Sequence, residues 1–236
     1  HNVFTTYKKK ISKKNLIKLK KSHHKNLKYI KADFSKINFL KKIPKKILYF
    51  FNSKIDLVVN NAGSYGEISS TINVDIDKWI SSINLNLISH YIICSQLSKK
   101  LIKKKNNVKI INISGGGAVR PMRFLSSYCA SKSALVRITE VMALELKNTK
   151  IRYYALAPGL INSNIHKPFL KNKFTKGSGE RANFSKALRI KNNNLENIYK
   201  AINFLNKNRP KNLNGKLLSA QFDNLEKISK DTISEN

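Results

Sequence analysis

Short apolar runs alternate with stretches of helical periodicity along most of the 236 residues, the pattern of a parallel α/β sheet. Residues 2–7 read as a strand, and 8–21 as a lysine-rich helix with Ile11, Leu16, Ile17 and Leu19 available for burial. Residues 27–33 form a second strand. A helix over 35–52 is interrupted at Pro44, which lacks the donor and clashes with the preceding turn. Leu57, Val58 and Val59, within residues 56–60, suit a strand buried on both faces.

Asp77 is placed to cap a long helix reaching about Lys103, with Ile80, Ile83, Leu87, Cys94, Leu97 and Leu101 at helical spacing. Residues 108–114 are the next strand. A helix over 126–147 carries Ala130, Ala134, Ile138, Val141, Met142 and Leu146 on one stripe. Residues 150–156 are a strand closed by Pro158-Gly159. Residues 165–195 show no periodicity and read as a long mobile segment; 196–206 are helical and 216–220 a last short strand. With no internal repeat and no linker, residues 1–236 read as one doubly wound domain.

At 41% hydrophobic residues there is material for a core, which excludes a wholly disordered chain. Two cysteines exclude a disulfide framework, and no run approaches the roughly 18 apolar residues of a membrane span. The chain reads as a cytoplasmic protein of a reducing compartment. The net charge of +33 comes from 46 Lys+Arg against 13 Asp+Glu. It raises nucleic-acid binding as a role, but lysines outnumber arginines 39 to 7, and phosphate recognition favours the Arg fork. The charge is also uneven: residues 1–54 hold 17 Lys and one acid, residues 55–98 one Lys and four acids. The histidines His23, His24, His90 and His166 show no ligand spacing, and no metal is expected.

Asn60-Asn61-Ala62-Gly63 ends a buried strand, where open parallel sheets place their ligand crevices. Tyr128 and Lys132 stand at i and i+4, on one helix face. A nearby cation lowers a phenol's pKa and makes it a usable proton donor or acceptor. Cys129 and Cys94 read as packing residues.

In order along the chain, these motifs resemble the short-chain dehydrogenase/reductase family over nearly its whole length. Asn60-Asn61-Ala62-Gly63 matches its Asn-Asn-Ala-Gly signature, and Trp79 with Leu85-Asn86-Leu87 its asparagine helix. Ile110-Ile111-Asn112-Ile113-Ser114 is similar to the strand leading to its serine, Tyr128-x-x-x-Lys132 to its tyrosine motif, and Ala157-Pro158-Gly159 with Ser163 to its Pro-Gly motif. The resemblance implies a Rossmann-like fold and hydride transfer between a nicotinamide cofactor and a carbonyl/alcohol pair. Tyr128 would be the general acid, Lys132 would lower its pKa and bind the nicotinamide ribose, and Asn86 would hold a relay water. Asp33 would contact the adenine; Asn60, Ala62 and Gly63 would line the adenosine ribose side; Pro158, Gly159 and Ser163 would lie near the nicotinamide.

Two departures stand out. The family's serine usually lies thirteen positions before the tyrosine; here that position is Gly115, and Ser114 lies fourteen before. Either Ser114 swings back or a backbone N–H of residues 115–117 serves instead. The family also opens with a strand and a glycine-rich turn, and no glycine precedes Gly63. The expectation is that about thirty residues, a βα half-unit, are missing, that the natural protein is longer, and that this chain alone binds cofactor poorly. A sheet without its central first strand would leave two rows of backbone groups unpaired.

Tyr7-Lys8-Lys9-Lys10 ends the first strand with no acid before Asp33, which favours NADP over NAD, with Lys8 or Lys9 near the 2′-phosphate. By resemblance residues 165–193 form the lid; their Lys167, Lys171, Lys173, Lys176 and Arg181 against Glu180 leave room for a phosphorylated or carboxylated substrate. A homodimer or homotetramer through helices matching 78–103 and 126–147 is expected. The competing reading is a catalytically impaired relative that binds a ligand or partner.

Overall fold

The computed structural model describes residues 2–8, 10–23, 26–104, 107–190 and 195–231. Strands β1 (Val3–Tyr7) and β2 (Leu27–Lys31) flank helix α1 (Lys10–His23). Helices α2 (Ile37–Leu40) and α3 (Ile43–Phe50) follow, then β3 (Leu57–Asn60). Pro44 falls in the first turn of α3, where its missing N–H costs nothing; the predicted interruption is thus a helix start.

Helix α4 (Ile76–Ile83) runs through a π-helical turn, Asn84–Ile88, into α5 (Ser89–Leu101). Its cap is Asp75, not the expected Asp77: Asp75 has extended backbone and accepts from Lys78 N at 3.1 Å. Strand β4 (Val108–Ile113), helix α6 (Ser126–Glu145) and strand β5 (Ile151–Ala157) form the centre. Helices α7 (His166–Lys171), α8 (Gly179–Leu188) and α9 (Leu195–Asn208), strand β6 (Leu217–Ser219) and helix α10 (Leu225–Asp231) complete the order. Residues 165–195, expected to lack regular structure, therefore carry α7, α8 and a 3₁₀ turn at Lys173–Thr175. These pieces are too short for a period to show, and they bury Phe169 and Phe184.

All strand pairs are parallel. The sheet is divided: β1 pairs with β2, and β3-β4-β5-β6 form a second ladder. Among the described residues no ladder joins the two parts. Alternate residues of β4 and β5 point to opposite faces. Ile110 and Tyr153 join one cluster with Leu97, Leu101 and Met142; Ile111, Tyr154 and Leu156 join another with Ala201, Leu205 and Leu225. Helices on both faces of a parallel sheet make this a doubly wound α/β fold. Val58 of β3 and Ile30 of β2 pack against the first of these clusters, so the two ladders share a core though not hydrogen bonds. No described helix is long and apolar enough to cross a membrane.

Helix α6 turns differently from its apolar stripe. Ser127, Tyr128, Ser131, Lys132, Leu135, Thr139 and Met142 are buried, while Val141 and Leu144 are exposed. Three of the inward polar groups find partners: Ser131 Oγ donates to Tyr128 O, Lys132 Nζ to Ile113 O and Thr139 Oγ1 to Leu135 O; Ser127 Oγ is buried without one.

Candidate active site

The carboxyl ends of β3 and β4 and the first turns of α6 converge on one cluster. Lys132 is 4% exposed, and its Nζ donates to Ile113 O at 2.7 Å. Burial lowers its pKa to about 8, so it is still mostly charged at neutrality. Tyr128, one turn earlier, is 6% exposed and packs among Tyr65, Met122, Leu125, Phe169 and Phe184. Burial pushes its phenol up to about 12, and the neighbouring Cys129 adds to the rise. Lys132 does not lower it, contrary to expectation: the ammonium is turned to the β4 carbonyl. The ring lies against the loop after β4, where a Cβ built on Gly115 would overlap the phenol oxygen and one on Gly117 would lie 2.8 Å from the ring. The glycines at 115 and 117 are therefore what admits the ring.

Asn86, fully buried in the π turn, holds the loop after β3 at both ends of its amide. Its Oδ1 accepts from Ser64 N at 3.0 Å, and its Nδ2 donates to Ser64 O at 2.9 Å. The π turn sets this side chain out of ordinary helical register. A Cβ at Gly63 would stand 3.3 Å from Asn86 Oδ1 and 3.6 Å from Lys132 Nζ, so backbone, amide and ammonium meet at this point.

Asn60 faces inward. Its Nδ2 donates to Asn112 Oδ1 at 2.8 Å and to Cys94 Sγ at 3.1 Å, and Asn112 Nδ2 donates to Thr139 Oγ1 at 2.9 Å. This buried chain pins α6, and with it Tyr128 and Lys132, to β3 and β4. Thr139 gave no sequence signal beyond a polar residue in a helix. Ser114 is 3% exposed and its Oγ has no hydrogen-bond partner; it is a buried donor left free beside the Tyr128 loop.

The other predicted residues lie further out. Lys8 and Asp33, just past the ends of β1 and β2, form an ion pair of 3.0 Å. Burial opposes ionisation of Asp33, but hydrogen bonds from Ser35 and Lys8 outweigh it and lower its pKa. Lys9 and His24 lie outside the described residues. Gly159 has φ of +79° and abuts the Gln221 side chain, next to Pro158. Ser163 accepts from Ile165 N at 3.4 Å and shapes the entry to α7. Ala62 is half-buried between Asn61 and Gly63. Tyr65, Phe169 and Phe184 pack in one cluster with Tyr128, and His166 stacks on Phe184; none of the four stood out in the sequence as a site residue. Among the described residues no group of three or more His, Cys, Asp or Glu could hold a metal.

A doubly wound parallel sheet with Tyr, Lys, Asn and Ser gathered at its carboxyl edge defines a dinucleotide-binding type of α/β protein. The sequence pattern described as short chain dehydrogenase matches residues 1–173, and the chain belongs to that family. A 3-oxoacyl-(acyl-carrier-protein) reductase, FabG, of Chlamydia trachomatis is 31% identical over 149 residues, 62% of this chain and 59% of the relative. The match thus spans about three-fifths of that relative's length. Among solved structures, a putative 3-oxoacyl-reductase from Bacillus thuringiensis superposes with TM-score 0.71 at 24% identity, covering 93% of this chain and 85% of its own. An actinorhodin polyketide ketoreductase solved with NADPH gives TM-score 0.76 at 18% identity, covering 92% and 85%. These likenesses establish the fold.

The donors present fit one end of a nicotinamide cofactor. Lys132 has two N–H groups beyond the one given to Ile113 O, and the buried Ser114 Oγ is unpartnered.

Proposed function

We propose that this protein interconverts a carbonyl and an alcohol on a small molecule with NADP(H), in the cytoplasm, with Tyr128 as general acid/base. The observation that carries the reading is the convergence of Tyr128, Lys132, Asn86 and Ser114 at the carboxyl ends of β3 and β4. When bound, the cofactor supplies or takes the hydride. The chain's own residues handle the proton. A phenol held at about 12 is protonated at neutral pH, the state needed to donate to a developing alkoxide. Lys132 holds the cofactor's ribose and supplies positive charge at the crevice. Asn86 fixes the loop at Ser64 that closes the same crevice, and Ser114 Oγ is the free donor for the substrate oxygen.

Lys8, held at the strand ends by Asp33, supports the preference for NADP by offering a cation to the 2′-phosphate. Exposed Ile76, Ile80 and Tyr91 on α4–α5 and Val141 and Leu144 on α6 support a homodimer or homotetramer through these helices. The whole chain of 236 residues is read as one domain. The second reading, an impaired binding protein, is motivated by Gly115 at the position of the family's usual serine and by the absence of a glycine before Gly63.

NADPH consumption with a panel of carbonyl compounds tests the choice. The expected result is turnover that Tyr128→Phe reduces by about 100-fold or more. Turnover equal in native and variant, or cofactor binding with no turnover, rejects the enzymatic role of Tyr128.

A further inference from the structure

A cavity of about 390 Å³ opens at the first turn of α6. Its walls come from the loop after β3 through Ser69, Ser70 and Thr71, from the segment before α6 through Arg123, and from α6 through Ser126 and Cys129. With about 3.6 residues per turn, Ser126 and Cys129 share a helix face next to that of Tyr128 and Lys132. Met122 also lines the cavity and belongs to the apolar cluster that holds Tyr128. The cavity thus adjoins the packing around the phenol ring.

The lining is a set of donors without an acid. Ser69 is 6% exposed; its N donates to Phe124 O at 3.2 Å, while its Oγ has no hydrogen-bond partner among the described residues. Ser126 Oγ accepts from Trp79 Nε1 at 3.1 Å, and Ser70 Oγ from Asn73 Nδ2 at 2.9 Å. A hydroxyl oxygen engaged as acceptor keeps its own O–H to give. Arg123 lies over the Phe124 ring, its Cζ 4.9 Å from the centroid, and no described carboxylate pairs with it. Leu125 gives α6 no side-chain cap, and its first turn holds no acid. That leaves first-turn N–H groups and the positive end of a 20-residue helix for an outside acceptor. Beyond the lining, Arg120 and Glu180 act on the Cys129 thiol with opposite signs, so the charge of Arg123 stands.

We propose that this cavity binds an oxyanion, a carboxylate or phosphoryl group, with Arg123 as its charged partner and Ser69, Ser70 and Ser126 as hydroxyl donors, and that the group belongs to the substrate. The guanidinium fork and hydroxyl donors match such a group. The anion site rests on the cavity and its donors alone; its assignment to the substrate rests on the proposed carbonyl chemistry at Tyr128. None of the basic residues of 165–193 lines the cavity, so selectivity for an anionic substrate falls to Arg123.

Trp79 is the only tryptophan of the chain, and its bond to Ser126 makes its emission a reporter of the site. Inorganic phosphate and succinate, titrated at constant ionic strength, should change that emission saturably. Arg123→Gln should weaken both about tenfold or more, the worth of a charge-assisted hydrogen bond. Lys147→Gln, beyond the far end of α6, should leave both unchanged. The absence of a saturable change overturns the site. So do affinities that Arg123→Gln leaves alone, or that Lys147→Gln weakens equally, since these show only the general field of the lysines. The second arm uses NADPH with keto acids and their methyl esters. Arg123→Gln should raise KM for the acids about tenfold, with KM for the esters and kcat for both unchanged. Binding through Arg123 with no difference between acid and ester overturns the assignment to the substrate and makes free phosphate the occupant. Binding through Arg123 in a chain that turns over neither compound supports the anion site and counts against the role of Tyr128.

Discussion

Strand β4 is buried at all six residues and β5 at six of seven, whereas β1 and β3 are mostly half-exposed. All four carry apolar β-formers: Leu57-Val58-Val59 of β3 reads like Ile110-Ile111 of β4. The difference lies in the neighbours. β4 and β5 are paired on both edges and packed on both faces, while β3 pairs only with β4 and β1 only with β2, leaving Val59 39% exposed. Burial of a strand is a property of the sheet around it, not of its own residues. The residues proposed to handle the proton stand on the well-paired part: Ser114 follows β4, Lys132 bonds Ile113, and Asn112 ties α6 to the sheet. Lys8 and Asp33 stand on the other.

The contrast has graded consequences. Ile111→Ala should cost about 2–5 kcal/mol in denaturant unfolding, as for a fully buried aliphatic side chain. A loss below 1 kcal/mol would mean the β4 centre is looser than its burial implies. Next comes Lys132. Its pKa of about 8 in the fold lies below the ordinary 10.5, so between these pH values the unfolded chain binds more protons and native stability rises with pH. The penalty is complete below about pH 8 and relieved toward 10.5. Relative to Lys132→Met, the native chain should therefore gain roughly 3 kcal/mol across that window; a flat difference would place the ammonium in water.

Gly115→Ala puts a methyl group where the phenol oxygen now sits. Gly115 has extended backbone, with φ of 173°, so the cost is steric alone, about 1–3 kcal/mol. The displaced phenol should titrate below its present value of about 12, which ultraviolet difference spectra would follow; an unchanged titration would show that the ring is not held there. Val59→Ala should be the mildest, under about 1 kcal/mol, and a larger loss would mean that β3 is covered.

Much of this architecture is legible in the amino-acid pattern, because strand runs and long helices announce themselves by period. The placement of the proposed site residues was legible too: Tyr128 and Lys132 stand one helical turn apart on α6, and Asn60 ends β3. What escaped has physical reasons. The stripe of α6 misleads because its inward face carries hydrogen-bonded polar groups. Asp75 outcompetes Asp77 as a cap through backbone conformation that composition does not show. The short α7 and α8 have too few turns to display a period. Tyr65 and His166 meet across 101 positions of chain, so no local pattern marks them. The expectation that Lys132 would depress the Tyr128 pKa took helical proximity for contact, whereas the ammonium bonds a strand carbonyl.

Native-state hydrogen exchange, resolved by residue, tests most directly whether the site stands on the well-paired part of the molecule. The expected order is full protection, at the level of global unfolding, for β4, β5 and the α6 turns holding Tyr128 and Lys132. Amides of β1 and β2 should open at markedly lower free energy. Equal protection of β1, β3 and β4 would contradict it, since that requires the two ladders to be joined into one sheet.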